Sequence, residues 1–428
     1  MIWIYRLVFL PALILASPVY LRRMFRRGGY GNDFGERFGR VKELPPKRDG
    51  VRRIWLQAVS VGEILAVGPL LRSLAARGDN EVYLTTATST GYALARAKYP
   101  ALTIAVGYFP LDFWPFNARA WRAVAPDLVL LAEGEAWPEH VRRSRQRGVP
   151  VVLINARLSD RSFRRYSHVP TIARSLFGSM TAILPSSAED ARRFATLGIA
   201  AAKLRMIGNL KFDVSIPPLD EAARAALRAS LGFPKGAKIL LGSSTWPGEE
   251  GALLDVFEAA RANGSDWRLL IVPRHAERRD EIMETLGGRD VRSHFRSAGP
   301  VPPDGVDVLV ADTTGELQKL TQLADLVFVG KSIPPNNGGQ TPIEAASLGK
   351  PLLFGPNMTN FRDAAASLVA IGAAEIVADP IALRSASMRL IDDEGARSRM
   401  AAAAARWHLE NQGATARTIA EIAKVLAE

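Results

Sequence analysis

A chain of 428 residues, 48% hydrophobic and 23% charged, is too long for one ordinary core and too apolar to be disordered, so two or three globular domains are expected. Its 55 Lys and Arg against 43 Asp and Glu leave a formal charge of +12, which favours a polyanionic partner: nucleic acid, anionic lipid or a phosphorylated substrate. There is no cysteine, which excludes a disulfide framework and any thiolate metal ligand or nucleophile.

The first element, LVFLPALILASPVY (Leu7 to Tyr20), is nearly uncharged, but it is shorter than the ~20 residues a membrane span needs, and Pro11 and Pro18 interrupt it. Extending it back to Met1 adds Ile2, Trp3, Ile4 and Tyr5 at the cost of Arg6, which makes a marginal span or an interfacial anchor. Arg22, Arg23, Arg26 and Arg27 follow, and the positive-inside rule then leaves the remainder in the cytoplasm. A cleaved signal peptide fits less well, because the basic cluster follows the apolar run and no small-residue cleavage site is evident. Residues 1–27 are read as an N-terminal membrane anchor with its basic flank.

Residues 28–213 form the first expected domain. The runs IWLQAV, EVYLTTA, LTIAVGYF, LVLLAEG, VPVVLINA and TAILPSS alternate with helical patterns, which predicts parallel βαβ units. IPPLDEAARAALRASLGFPKG, with its Pro-Pro pair, predicts a linker over 214–236. The pattern restarts with KILLGSS, WRLLIVP, VDVLVAD, LVFVGKS and KPLLFGP, separated by helices around Gly251–Asn263, Glu277–Thr285, Gly315–Leu323 and Pro342–Leu348. Residues 237–428, including the C-terminal helices, are therefore expected to be a second α/β domain of similar size.

Candidate site residues cluster where strands hand over to helices. Ser60 and Glu63 stand in the S-x-x-E spacing of a capping box, yet βα turns of open α/β sheets also face the ligand crevice, so Glu63 is open to both roles. Glu133 and Glu135 follow the strand in LAEGEAWPE, and Lys211 lies in GNLKFD near the domain end. Arg157 in NARLSDRS is expected in a structural salt bridge. In the second domain, Gly338 and Gly339 precede a helix beginning near Pro342, with Glu344 in its first turn; this suits a nucleotide phosphate and ribose. ADTTGEL, with Thr313 or Thr314 as a helix cap, is a second such loop. IVPRHAER puts Arg274 at a strand end, where it can grip a phosphate bidentately. No Asp-x-Asp motif occurs and the five histidines lack zinc-like spacing, which disfavours a metal-dependent sugar-nucleotide mechanism.

The segments GERFGR, AVSVGE, EGEAWPE, INARLSDRS, GNLKFD, STWPGEE, VPRHAER, DTTGEL, GGQTPIEAASLGKP and GPNMTNF, in this order, resemble the 3-deoxy-D-manno-octulosonic acid (Kdo) transferases of Gram-negative lipopolysaccharide synthesis. The resemblance runs from the N-terminal anchor to about residue 363. It implies a GT-B fold of two facing Rossmann-like domains with a central cleft, the first on the acceptor side and the second binding the CMP-sugar. It further implies inverting, metal-independent transfer of Kdo from CMP-Kdo to a lipid A precursor at the cytoplasmic face of the inner membrane, with no cofactor and no nucleic acid partner. By the same resemblance the general base is Glu63, the transition-state stabilisers are Glu133 and Lys211, and the CMP contacts are Pro273, Arg274, Thr314, Gly315, Glu316, Thr341, Pro342, Ile343 and Glu344.

This chain departs from the family pattern at several positions. Gln57 replaces a histidine in the strand before the base, Gly134 a threonine, Ala136 a leucine, Trp246 a histidine, and Gln340-Thr341 a His-Asn pair. These departures keep open a different GT-B transferase or epimerase, and a membrane-anchored binding protein without turnover.

Overall fold

The computed structural model describes residues 2–26, 31–213 and 216–427. The chain forms two compact units: Met1–Asp213 together with Gln412–Glu428, and Val214–Asn411.

The first unit carries six parallel strands, β1 (Arg52–Gln57), β2 (Asn80–Thr86), β3 (Ala105–Tyr108), β4 (Leu128–Ala132), β5 (Val151–Ala156) and β6 (Ala182–Pro185), in the order β3-β2-β1-β4-β5-β6. Each corresponds to a run expected from the sequence. A strand buried on both faces must be apolar at consecutive positions. Ile54 and Leu56 accordingly join a core with Leu70, Leu71, Leu84 and Leu130, while Trp55 between them joins Tyr83, Trp121, Val129 and Leu131 on the opposite face. Each such side chain, once fully buried, contributes about 1.5–3 kcal/mol.

The second unit has seven parallel strands: β7 (Lys238–Thr245), β8 (Trp267–Pro273), β9 (Ser293–Phe295), β10 (Val308–Val310), β11 (Leu326–Val329), β12 (Leu352–Phe354) and β13 (Ala374–Ile376). Their order is β13-β12-β11-β7-β8-β10-β9. The strands missed in the sequence, β9 and β13, are three-residue edge strands too short to show alternation. Both sheets reverse direction beside their first strand: the chain leaves β1 toward β2 and returns to β4 on its other side, and leaves β7 toward β8 and returns to β11. Ligands of open α/β sheets bind at the carboxyl ends of such a strand pair.

Two expectations about organisation are corrected. The segment 216–236 is not a free linker, because its helix Glu221–Ser230 belongs to the second unit, held by Leu219 N–H on Gln322 and by Arg224 and Arg228 on the carbonyls of Gln322 and Ala237. Val214 and Ser215, the first residues of the expected linker 214–236, lie outside the described residues. The last helix, Ala414–Ala427, belongs to the first unit, because Thr418, Ile422 and Val425 are apolar or small at helical spacing and bury against it. Of the two readings of residues 1–27, a marginal span or an interfacial anchor, the span is not found: no helix among the described residues is long and apolar enough to cross a membrane. The helix Ile2–Arg26 contains Pro11 and Pro18, and it docks on the first unit. Its Arg6 forks onto the fully buried Glu139, and its Tyr5 donates to Asp112 Oδ2 at 2.9 Å. Arg27 of the basic cluster lies outside the described residues.

Asp213 fixes the return of the chain: its carboxylate accepts Gly413 N–H at 2.6 Å, Ala414 N–H at 3.2 Å and the N–H of Thr415. These are orphan donors of the last helix. Asp213→Ala is expected to cost about 1–2 kcal/mol, the loss of an N-cap. Thermal unfolding read by circular dichroism checks it, and an unchanged melting temperature would show that the cap is dispensable.

Candidate active site

β1 ends at Gln57, and the chain turns through Ala58–Ser60 into the helix Val61–Ala66. Ser60 caps it: Ser60 Oγ accepts Glu63 N–H at 3.3 Å and donates to Glu63 Oε1 at 2.9 Å, while Glu63 Oε2 accepts Val59 N–H at 2.8 Å. The capping box is therefore present, with the carboxylate reaching one residue further back than in its usual form. A carboxylate has about four lone-pair sites, so these bonds leave acceptor capacity on both oxygens. Glu63 is buried, and burial first, then the charge of Glu133, raise its pKa against the Val59 and Ser60 bonds and the Lys211 charge.

Glu133 follows β4, the strand beside β1 at the order reversal. Its φ of +56° is unusual for a non-glycine residue, and it is held there by Glu133 N–H on Ile154 O and by Arg157 N–H on Glu133 O. Lys211 Nζ stands 2.6 Å from Glu133 Oε1. Two asparagines position that lysine: Asn155, at φ +49°, accepts Leu210 N–H, and Asn209 accepts Lys211 N–H, both at 3.0 Å. Glu63, Glu133 and Lys211 thus meet in one cluster. Arg157 makes no salt bridge among the described residues, contrary to expectation; its backbone, not its guanidinium, braces Glu133.

A third carboxyl completes the group. Burial, then the charges of Glu63 and Glu133, push the Glu135 pKa up to about 8. Near neutral pH Glu135 holds its proton, so Glu63 faces one charged carboxylate, itself paired with Lys211. The two glutamates of LAEGEAWPE are legible as a pair, but their division into a charged and a neutral member depends on burial that spacing does not reveal.

In the second unit, Arg274 follows β8, is exposed, and has no side-chain partner among the described residues. Thr314 and Gly315 are exposed at the loop after β10, and Gly315 takes φ +85° with open space where a Cβ would stand. Glu316 is engaged: Arg296 grips it bidentately at 2.7 and 2.8 Å, which first among its causes lowers its pKa. Neither Thr313 nor Thr314 caps the following helix, Leu317–Thr321, whose N-cap is Glu316. Thr341 and Glu344 are part-exposed, while Pro273, Pro342 and Ile343 are buried and can meet a ligand only through backbone. Gln318 Nε2 donates to Glu344 Oε1 at 2.8 Å and links the two loops. Gly338 and Gly339 have an internal reason: a Cβ would meet Asn360 Nδ2 at 2.7 Å and Met358 Sδ at 2.4 Å respectively.

Sequence reading missed the role of STWPGEE. Glu249 accepts backbone N–H groups from Trp246, Lys331, Ser332 and Ile333, and Glu250 binds Arg278 at 2.7 and 3.1 Å. Adjacent glutamates at a predicted helix start were the available signal.

Residues 32–214 match a family model described as 3-deoxy-D-manno-octulosonic-acid transferase. A curated 3-deoxy-D-manno-octulosonic acid transferase of Bordetella pertussis is 32% identical over 417 residues, covering 95% of each chain. The chain belongs to the Kdo transferase family. The transferase of the same name from Haemophilus influenzae is 30% identical over 416 residues, covering 96% of this chain and 93% of that one. A UDP-GlcNAc 2-epimerase from Neisseria meningitidis, at 17% identity and a TM-score of 0.62, covers 87% of this chain and 100% of its own; it shares the fold. Two parallel α/β units of the GT-B type are thus found in a Kdo transferase family glycosyltransferase.

The Glu135 proton has a measurable consequence. Its folded pKa near 8 lies above the ~4.3 of an unfolded glutamate, so between those values the unfolded chain has lost a proton that the folded one keeps, and stability falls as pH rises. Glu135→Gln removes that dependence. Its melting temperature relative to wild type is expected to climb between pH 5 and pH 8.5; a parallel pH profile would mean that Glu135 titrates normally.

Proposed function

We propose that this protein transfers Kdo from CMP-Kdo to a hydroxyl of a lipid A precursor, with inversion at the anomeric carbon and no divalent ion. The observation that carries this reading is the raised-pKa Glu63 beside the Lys211–Glu133 pair at the order reversal of the first sheet, in a chain of this family. Glu63 takes the acceptor hydroxyl proton as the oxygen bonds to the anomeric carbon. The carbon–oxygen bond to CMP breaks, and the phosphate leaves with the bonding pair. A raised pKa makes Glu63 a stronger base at neutral pH, and the two bonds that cap the helix fix its carboxylate before substrate arrives. Lys211, held by Glu133, supplies a nearby positive charge for the transition state.

The donor is assigned to Pro273, Arg274, Thr314, Gly315, Glu316, Thr341, Pro342, Ile343 and Glu344. Arg274 is the member with a free guanidinium and takes the phosphate. In Glu63→Gln the cap survives, because glutamine is accepted at that position, but the base is lost. Turnover is expected to fall ~10²–10⁴-fold with CMP affinity unchanged. Wild-type turnover in this variant would leave Glu63 a helix cap only, and a preference for UDP over CMP would move the donor assignment.

Attachment to the inner face of the membrane is part of the proposal. Trp3, Leu7, Val8, Ile14 and Leu15 are exposed on the N-terminal helix, and an apolar groove of about 890 Å³ runs between that helix and the helices Pro138–Arg147 and Pro170–Phe177, with Arg142 and Arg145 in its lining. Apolar side chains beside arginines suit an anionic lipid surface. Because Tyr5 and Arg6 dock the helix, point changes test it better than deletion. Leu7→Asp with Leu15→Asp is expected to lose vesicle flotation on anionic lipid while keeping the melting temperature. Undiminished flotation would assign membrane binding elsewhere.

A further inference from the structure

The second sheet reverses between β7 and β11, and the residues leaving these two strand ends are held in an unusual way. Lys331, two residues beyond β11, has φ +60°, a region that costs an ordinary side chain and is free to glycine. Ser244 in β7 has φ +55°. The two loops touch backbone to backbone: a Cβ on Gly330 would stand 2.5 Å from Ser244 O and 2.7 Å from Thr245 Cα. Buried Glu249 locks them, accepting Trp246 N–H at 2.9 Å, Lys331 N–H at 2.8 Å, Ser332 N–H at 2.9 Å and Ile333 N–H at 3.3 Å.

So fixed, Lys331 projects its ammonium over the Trp246 ring, 4.4 Å from the centroid, and Trp246 packs edge-on against His275 at 5.4 Å. The charges around it are otherwise spoken for. Glu249 is engaged by backbone N–H groups, and Glu277 stands 3.3 Å from His275 Nδ1. Among the described residues Lys331 has no carboxylate partner, and the Trp246 indole N–H is buried without an acceptor. A chain that only needed to seat these loops would be better served by glycine at 331. A lysine kept in a left-handed backbone, on an aromatic face and without a counter-charge, is built to meet an anion.

We propose that Lys331 is a donor-specificity residue whose ammonium binds an oxyanion of the sugar nucleotide: the carboxylate of the sugar acid or the nucleotide phosphate. The assignment rests on the donor reading above. A nucleotide-linked ulosonic acid carries a carboxylate as well as a phosphate, and Arg274, after the neighbouring β8, is a second cation for the second charge.

The test uses the full-length protein with CMP and cytidine in calorimetric titrations and CMP-Kdo in steady-state assays. In Lys331→Met, KM for CMP-Kdo is expected to rise about ten-fold or more, the lower end for a hydrogen bond between charged groups, with cytidine binding unaltered. Unchanged CMP affinity in that variant identifies the carboxylate; CMP affinity weakened by the same factor identifies the phosphate. Lys331→Gly is expected to show the same KM defect with a melting temperature no lower than wild type, and so separates lost charge from lost folding. Wild-type KM and CMP affinity in both variants would overturn the proposal alone. Failure of the wild-type protein to bind CMP would overturn the donor reading and this proposal together.

Discussion

The geometry on which the rest depends is the gap that opens when neighbouring parallel strands send their connections in opposite directions. Between β1 and β4, and between β7 and β11, successive chain segments leave the sheet on different sides, so the loops above the strand ends diverge. Side chains there are held by strands buried on both faces, yet they can reach a ligand. Glu63 leaves β1 and Glu133 leaves β4. Trp246 leaves β7 and Lys331 leaves β11. These four side chains stand beside the reversal of their own unit.

Carboxylates do most of the local organising, and each is managed differently. Glu63 is stabilised by a backbone N–H and a serine hydroxyl, Glu133 by an ammonium, and Glu249 by backbone donors alone. For Glu135, burial and the Glu63 charge outweigh the Trp137 side chain beside it, and neutrality is cheaper than charge. Three ionised carboxylates in one cluster would repel one another. One paired, one hydrogen-bonded and one protonated is an arrangement that leaves Glu63 as the group able to take a proton.

Much of this was legible in the sequence. Every strand of the first sheet was marked by an apolar run such as IWLQAV or LVLLAEG, because burial on both faces demands one. The handover at Ser60–Glu63 was marked by capping spacing. The short edge strands β9 and β13 were not, and neither was the return of the last helix to the first unit, which depends on Asp213 meeting Gly413, Ala414 and Thr415 from two hundred residues away. Long-range pairings leave no local pattern. Lys331 was equally silent, because its meaning comes from a backbone angle and from a tryptophan 85 positions earlier in the chain.

Backbone strain follows the same map. Among the described residues, the non-glycine positions with positive φ are Ala125, Glu133, Asn155, Ser244 and Lys331. Ala125 ends a helix, where a left-handed residue is a common stop. The other four lie at or just past the carboxyl ends of β4, β5, β7 and β11. Such a residue costs on the order of 1–3 kcal/mol, so it persists only where neighbours over-determine it. Three of the four are held by named bonds: Ile154 and Arg157 bracket Glu133, the Asn155 side chain accepts Leu210 N–H, and Glu249 holds Lys331. Of these residues, Glu133 and Lys331 carry charged side chains, one paired with Lys211 and the other over the Trp246 ring, while Asn155 accepts a backbone N–H next to Lys211 and Ser244 lies two residues before Trp246.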